Sequence, residues 1–296
     1  MSDAKLAWNG VSLVVPGLWE PAAIERRYLR LEERGMPRAD IQWRRVRGPF
    51  DAGRHVRRLA KRFRRDEVRM VEPEGPWLRP FERLRESGLA AAHVQWQGGC
   101  GGVVHNPATG LAATLQFHDL ADHSGSVDIA AGVLASFRDH WAGATLPWRM
   151  FGMRARTPSD FLLHGFSFMP GKSLVTLRRP KRMPAVDAPD RDIGRGPGVL
   201  LELERLVPAD VVLGDRPVSL WAAEYCSERI QGETREQGQG IAWNSLRKRF
   251  LRRPVLSMGR IWHDASRNAL LGVYGSGDIP LDNHQFDEVC AQYGAV

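Results

Sequence analysis

Val11-Ser12-Leu13-Val14-Val15-Pro16-Gly17-Leu18-Trp19 is the stretch whose reading decides the fold. Val11, Leu13 and Val15 alternate with their neighbours, the period of a half-buried strand, and Pro16-Gly17 breaks it. Further strands are expected at Tyr28–Leu31 and at Ile41–Val46, where Ile41, Trp43 and Arg45 share a face. The opening therefore reads as an antiparallel meander of three strands. The signal returns later in Thr157-Pro158-Ser159-Asp160-Phe161, where Pro158 and Phe161 stand 142 residues after Pro16 and Trp19. Phe166–Phe168 and Ser173–Arg178 follow as strands.

The ends of the two halves match as well. Gly102–Phe117 reads as a hairpin with its turn at Asn106–Gly110, and Gly259–Tyr274 as another with its turn at Asp264–Asn268. A helix is expected after each hairpin. Val127–Trp141 carries Ile129, Val133, Leu134 and Phe137 at helical spacing, and Asp282–Tyr293 carries Phe286, Val289, Cys290 and Tyr293. Asp128 and Asp282 stand where a first-turn or capping acid belongs. A middle helix is expected at Asp51–Met70, and in the second half at Ser219–Ile230 after a strand at Val199–Leu206. The matches occur in one order, and residues 1–140 and 141–296 each sum to +4. The expectation is a tandem repeat of two α/β (α+β) domains, each a mostly antiparallel sheet with packed helices. The repeats would span 1–142 and 143–296, with a loop insertion in the second near 180–197, a Pro-, Gly-, Asp- and Arg-rich run.

A strand ending in Pro, a turn and an aromatic, then two strands, a helix, a hairpin and a closing helix, resembles the PsbP-like superfamily. Val15-Pro16-Gly17-Leu18-Trp19 carries the resemblance, and Thr157-Pro158-Ser159-Asp160-Phe161 is a degenerate second copy. The resemblance implies an α/β/α sandwich and a binding or assembly role, and it implies no catalytic residues. The chain departs from the photosystem members in showing no targeting peptide and in its tandem arrangement.

Composition narrows the function classes. The 296 residues are 43% hydrophobic and include 10 Trp and 11 Phe, ample for a buried core, which excludes wholesale disorder. No apolar run approaches a membrane span, and no basic segment followed by an apolar one opens the chain. Cys100, Cys226 and Cys290 form neither a disulfide framework nor a zinc pattern. A cytoplasmic location is the expectation. The net charge of +8 and a pI near 9.9 favour an acidic partner, either a protein or a nucleic acid. Gly194-Arg195-Gly196-Pro197-Gly198 is no phosphate loop, since Pro197 removes a needed N–H. No hydrolase elbow or kinase signature occurs, and no cofactor is implied.

The strongest local feature is basic. Between Arg54 and Arg69 stand eight cations: Arg54, Arg57, Arg58, Lys61, Arg62, Arg64, Arg65 and Arg69. Val56, Leu59, Phe63 and Met70 fall on one face, so the helix should bury that stripe and show arginine elsewhere. Arg donates in a planar fork suited to phosphate and carboxylate. The plain alternative is a solvated helix face. A second cluster, Arg247, Lys248, Arg249, Arg252 and Arg253, is expected just before the second hairpin.

Three other groups invite a chemical reading. Cys100 lies in Gly98-Gly99-Cys100-Gly101-Gly102, and His105 follows five residues later. A Cys–His nucleophile is one reading; glycines serving a turn or bulge around an incidental small thiol are the other, and preferred, one. His118 and His123, with Asp119 and Asp122, carry metal-capable side chains at a spacing that fits no helical metal motif, so no metal is expected. Trp77, within Pro73–Pro80, anchors either its own connector or a partner.

The reading that gathers these features is a non-enzymatic binding or assembly protein, using a basic surface to hold an acidic protein partner in a multi-subunit complex. Its contacts would be Arg57, Arg58, Lys61, Arg62, Arg65, Trp77, Arg247, Lys248, Arg249, Arg252 and Arg253. The alternatives are a nucleic-acid-binding component of a ribonucleoprotein or defence assembly, and an enzyme dependent on Cys100.

Overall fold

The computed structural model describes residues 3–63, 68–120, 125–185, 188, 193–194, 196–230, 233–249 and 252–296; for residues 59, 62–63, 247–249 and 252–254 it describes the backbone alone. The chain forms two compact units, Met1–Gly143 and Ala144–Val296.

In the first unit, β1 (Asp3–Trp8) and β2 (Val11–Pro16) pair as a hairpin. Asn9 and Gly10 make its turn with φ of 43° and 88°, the left-handed pair that suits a tight hairpin. A Cβ on Gly10 would lie within 2.1 Å of the Trp141 ring, so glycine is required there by space as well as by φ. β3 (Glu20–Glu25), β4 (Tyr28–Glu33) and β5 (Met36–Arg45) then form a meander. The expected meander is thus corrected. Val11–Pro16 belongs to a separate hairpin, and the first meander strand is β3, hidden in sequence by Pro21 and a bulge between Pro21 and Ala23.

Helix α1 (Ala52–Phe63) follows, shorter than the expected Asp51–Met70. Asp51 starts it by accepting from the Arg54 N–H at 2.9 Å. Met70 lies instead on β6 (Arg69–Val71), where it is exposed. A single turn at Gly75–Trp77 leads into α2 (Leu78–Glu86), a helix whose first residues fall in the Pro73–Pro80 stretch read as a connector. The last strands are β7 (Ala90–Trp96), β8 (Gly99–Asn106) and β9 (Leu111–His118). α3 (Ser126–Ala135) and β10 (Arg138–Asp139) close the unit, so the helix ends before Phe137. The large sheet has the order β3-β4-β5-β9-β8-β7-β6, and β10 pairs with β2.

The alternation along these strands creates two faces. On one, Leu29, Leu31, Ile41, Leu115 and Phe117 are fully buried with Phe81 and Leu84 of α2 and Leu134 of α3. His93 lies on this side between Trp77 and Phe81, with ring centroids at 5.1 and 5.3 Å. On the other face, Val56 of α1 packs on Val94 and Val103, with Phe50, Ala52, Val68 and Trp96 around them.

Burial lowers the pKa of His93, outweighing an opposing effect of the Glu72 backbone, and burial likewise lowers that of His105. A histidine held neutral in the fold takes up its proton on unfolding, so its stabilisation is full above the ordinary histidine range and falls as pH drops through it. The first unit is therefore expected to unfold more easily at pH 5.5 than at pH 7.5. His93→Phe should flatten that dependence in denaturant titrations at the two pH values; an unchanged slope refutes the assignment.

The second unit opens with the hairpin of β11 (Thr145–Met150) and β12 (Met153–Pro158). β13 (Leu162–Met169), β14 (Lys172–Pro180) and β15 (Gly198–Leu206) follow as a meander. Arg178, buried on β14, donates to the carbonyls of Ile193 and Gly196 in the 181–197 connection. α4 (Ala209–Leu213), α5 (Val218–Tyr225) and the short β16 (Thr234–Glu236) lead to β17 (Gly240–Arg249), β18 (Arg252–Asp264) and β19 (Ala269–Gly277). α6 (Asn283–Gln292), capped by Asp282, and β20 (Gly294–Ala295) end the chain. The large sheet runs β13-β14-β15-β19-β18-β17-β16, and β20 pairs with β12. One face packs under α4 and α5 through Trp221, Ala222, Trp243, Ile261 and Tyr274. Phe286, Val289 and Cys290 form the buried side of α6.

Every strand pairing described above is antiparallel. The architecture is α+β with mostly antiparallel sheets, and the α/β expectation fits only in part. Among the described residues, no helix is long and apolar enough to cross a membrane.

Candidate anion-binding cleft

The outer face of the first large sheet carries the polar partners of the core positions. Gln42 and Arg44 alternate with Ile41 and Trp43 on β5, and Thr114 alternates with Ala113 and Leu115 on β9. α1 lies over this face. Between them is a cleft of about 360 Å³ lined by Arg27, Gln42, Trp43, Arg44, His55, Arg58, Ala112 and Thr114.

The cleft has a neutral, buried floor and a cationic rim. Thr114, Ala112 and Trp43 are 7%, 4% and 3% exposed, whereas Arg44 and Arg58 are exposed. The His55 Nε2 lies 3.0 Å from the Thr114 Oγ1 and ties helix to floor. Phe50 packs against the His55 ring at 5.5 Å and stacks on His105 at 4.7 Å. Burial, then the charges of Arg44 and Arg58, lower the His55 pKa. Among the described residues, no carboxylate lines the cleft and none forms an ion pair with Arg44 or Arg58.

Beside the cleft, Asp40 is already occupied. It accepts from Arg30 Nε at 2.9 Å and lies 2.9 Å from His118 Nε2, with the Tyr28 hydroxyl as a third donor. Burial alone would raise the Asp40 carboxyl, but the hydrogen bonds from His118, Arg30 and Tyr28 outweigh it and hold the pKa well below the usual range. Burial and the bond to Asp40 push Tyr28 up to about 12.

Of the residues singled out in the sequence, Arg57, Arg58 and Lys61 are exposed on α1. Arg62 lies on the α1 backbone, and Arg65 lies outside the described residues. Arg247, Lys248 and Arg249 end β17, and Arg252 and Arg253 begin β18, with Arg249 paired to Arg252. The second cluster is therefore the tip of a hairpin, a correction to its expected place before one.

Trp77 is 6% exposed, packed on His93 and on Phe117, so it anchors its own segment and offers no surface to a partner. Cys100 and His105 are not brought together. They sit five positions apart on β8, on opposite faces, roughly 16 Å along the strand. Burial pushes the Cys100 thiol up to about 12, away from a reactive thiolate. The glycines around it serve backbone approach: a Cβ on Gly101 would stand 1.9 Å from the Leu115 carbonyl oxygen. His118 bonds Asp40, His123 lies outside the described residues, and no metal-capable cluster occurs among the described residues.

Arg27, Gln42, Arg44, His55 and Thr114 escaped the sequence reading. The available signal was the polar half of each strand's alternation, at Gln42 and Arg44 and at Thr114.

The second unit holds a contrasting cluster. Glu204, 1% exposed, receives Tyr225 at 2.7 Å and Tyr274 at 2.8 Å and pairs with Lys172 at 2.7 Å. Arg229 lies over the Tyr274 ring at 4.3 Å and bonds Glu202 at 3.0 Å. Tyr225 and Lys172 hold one oxygen of Glu204 and Tyr274 the other, so the group ties β14, α5 and β19 to β15. In comparison with known proteins, no family model matches this chain and no curated protein matches it.

Proposed function

We propose that this is a non-enzymatic binding or assembly protein that holds an acidic protein partner on the α1 face of its first unit. The observation that carries the reading is the cleft itself: Arg44 and Arg58 stand at the rim of a neutral floor, and no carboxylate is among its described lining residues. Cations at an exposed rim steer the approach of an anion and favour it over a neutral partner. Three free, buried thiols fit a reducing compartment and offer no nucleophile.

We also propose that the two units are copies, PsbP-like in arrangement. What supports this is local as well as topological. Pro16 and Pro158 each end the second strand of a hairpin, and the Trp19 and Phe161 amides donate back to them at 2.9 and 3.1 Å. The His140 amide donates to Gly10, and the Val296 amide to Gly152, at 2.9 and 3.1 Å.

Arg44→Glu combined with Arg58→Glu is expected to abolish recovery of the partner from native cell extract at low salt, with the far-ultraviolet circular dichroism unchanged. Recovery of the same partner by the double variant overturns the reading. The exposed row Arg54, Arg57, Arg58 and Lys61 on α1 supports one other reading, nucleic acid. In that case recovered material would vanish with nuclease, and affinity would fall steeply with salt.

A further inference from the structure

We propose that the α1 cleft is a seat for a phosphomonoester dianion carried on a side chain of the partner polypeptide, with Arg44 and Arg58 closing on the phosphate and Thr114 meeting it at the floor. The inference rests on the acidic-protein reading above and deepens it.

Charge count and shape both point this way. A carboxylate presents two oxygens and one charge, which a single guanidinium fork satisfies. A phosphomonoester presents three terminal oxygens and nearly two charges at neutral pH. It can accept from Arg44, Arg58 and the Thr114 hydroxyl at once, and the Gln42 amide and Arg27 flank the same space. A volume of about 360 Å³ admits the phosphate and the first atoms of the side chain that bears it.

Depth separates a terminal phosphate from an internal one. The floor is at Thr114 and Ala112, both buried, and the cations are at the exposed rim. A phosphodiester, continued by chain on both sides, would lie across the rim at Arg44 and Arg58 without reaching Thr114. A phosphate at the end of a side chain enters point first and uses floor and rim together. His55, held at 3.0 Å from Thr114, positions that hydroxyl.

The test is a titration of the full chain followed by backbone amide NMR signals. The probes are capped O-phosphoserine, capped glutamate, inorganic phosphate and a dinucleoside monophosphate. Capped phosphoserine should shift the signals of Gln42, Arg44, His55 and Thr114 saturably, at least about tenfold tighter than each other probe. Arg44→Ala and Arg58→Ala should each weaken it about tenfold or more. Thr114→Val should weaken it with its spectrum otherwise native, and Arg235→Ala on the exposed β16 should leave it unchanged. Equal affinity for phosphoserine and glutamate overturns the dianion inference while the acidic-partner reading stands. Inorganic phosphate as tight as phosphoserine overturns the polypeptide source. Shifts by the dinucleotide alone overturn both this inference and the acidic-protein reading, and no saturable shift by any probe overturns the seat.

Discussion

Glu204→Ala is expected to lower the unfolding free energy of the second unit by about 2–4 kcal/mol, the cost of losing a buried carboxylate that accepts several hydrogen bonds. The loss is large because the carboxylate is the common acceptor of Tyr225, Tyr274 and Lys172. Removing it strands the buried Tyr274 hydroxyl, while Lys172 and the exposed Tyr225 keep only their bond to each other. Urea titration monitored by tryptophan fluorescence measures the effect. Glu204→Gln keeps the volume and one acceptor oxygen and should recover part of the loss. Glu82→Ala, which removes an exposed pair with Arg79, should cost less than about 1 kcal/mol. A Glu204→Ala loss no larger than that of Glu82→Ala would show that the cluster contributes nothing to the fold.

Phe81→Ala is expected to cost the first unit about 3–5 kcal/mol, the usual range for deleting a buried aromatic ring. Phe81 is fully buried on α2, its ring 5.3 Å from His93 and close to the space above Gly102. Gly102 has no side chain to move into the void, and β8 is held on both sides by β7 and β9. The cavity therefore persists. The same urea titration reads it, and a loss below about 1 kcal/mol would mean that α2 is not part of the core. Phe81→Leu should restore more than half, since it refills most of the volume.

The legible parts of the fold were those whose periodicity has one cause. Val11, Leu13 and Val15 share one buried face of their strand, and Asp282 precedes a regular apolar stripe that it caps. The helix at Leu78–Glu86 was obscured because Pro76 and Pro80 made its start part of the Pro-rich connector at Pro73–Pro80. Both stand near a helix start, where no amide is needed. β3 was obscured by Pro21 and by two glutamates that an exposed edge tolerates. Of the candidate site, Arg58 was legible because the basic run is contiguous. Arg27, Arg44 and Thr114 come from a turn and two strands, and strand pairing assembles them: β4–β5 sets Tyr28 against Gln42, the Trp43 amide donates to the Arg27 carbonyl, and β5–β9 sets Gln42 against Thr114. Trp77 misled for the opposite reason: a Pro-rich flank suggests exposure, while the ring is buried against Phe117.

The outermost strands of the two large sheets have a consequence for how company is kept. β3 carries Pro21 and a bulge, β13 a bulge between Leu163 and Gly165, and β6 and β16 are three residues each. Such borders give a foreign extended segment little backbone to align with. They guard against runaway strand-on-strand stacking at high concentration. They also mean that any lasting association must be made by side chains, so its specificity can be rewritten one residue at a time without disturbing the sheets beneath.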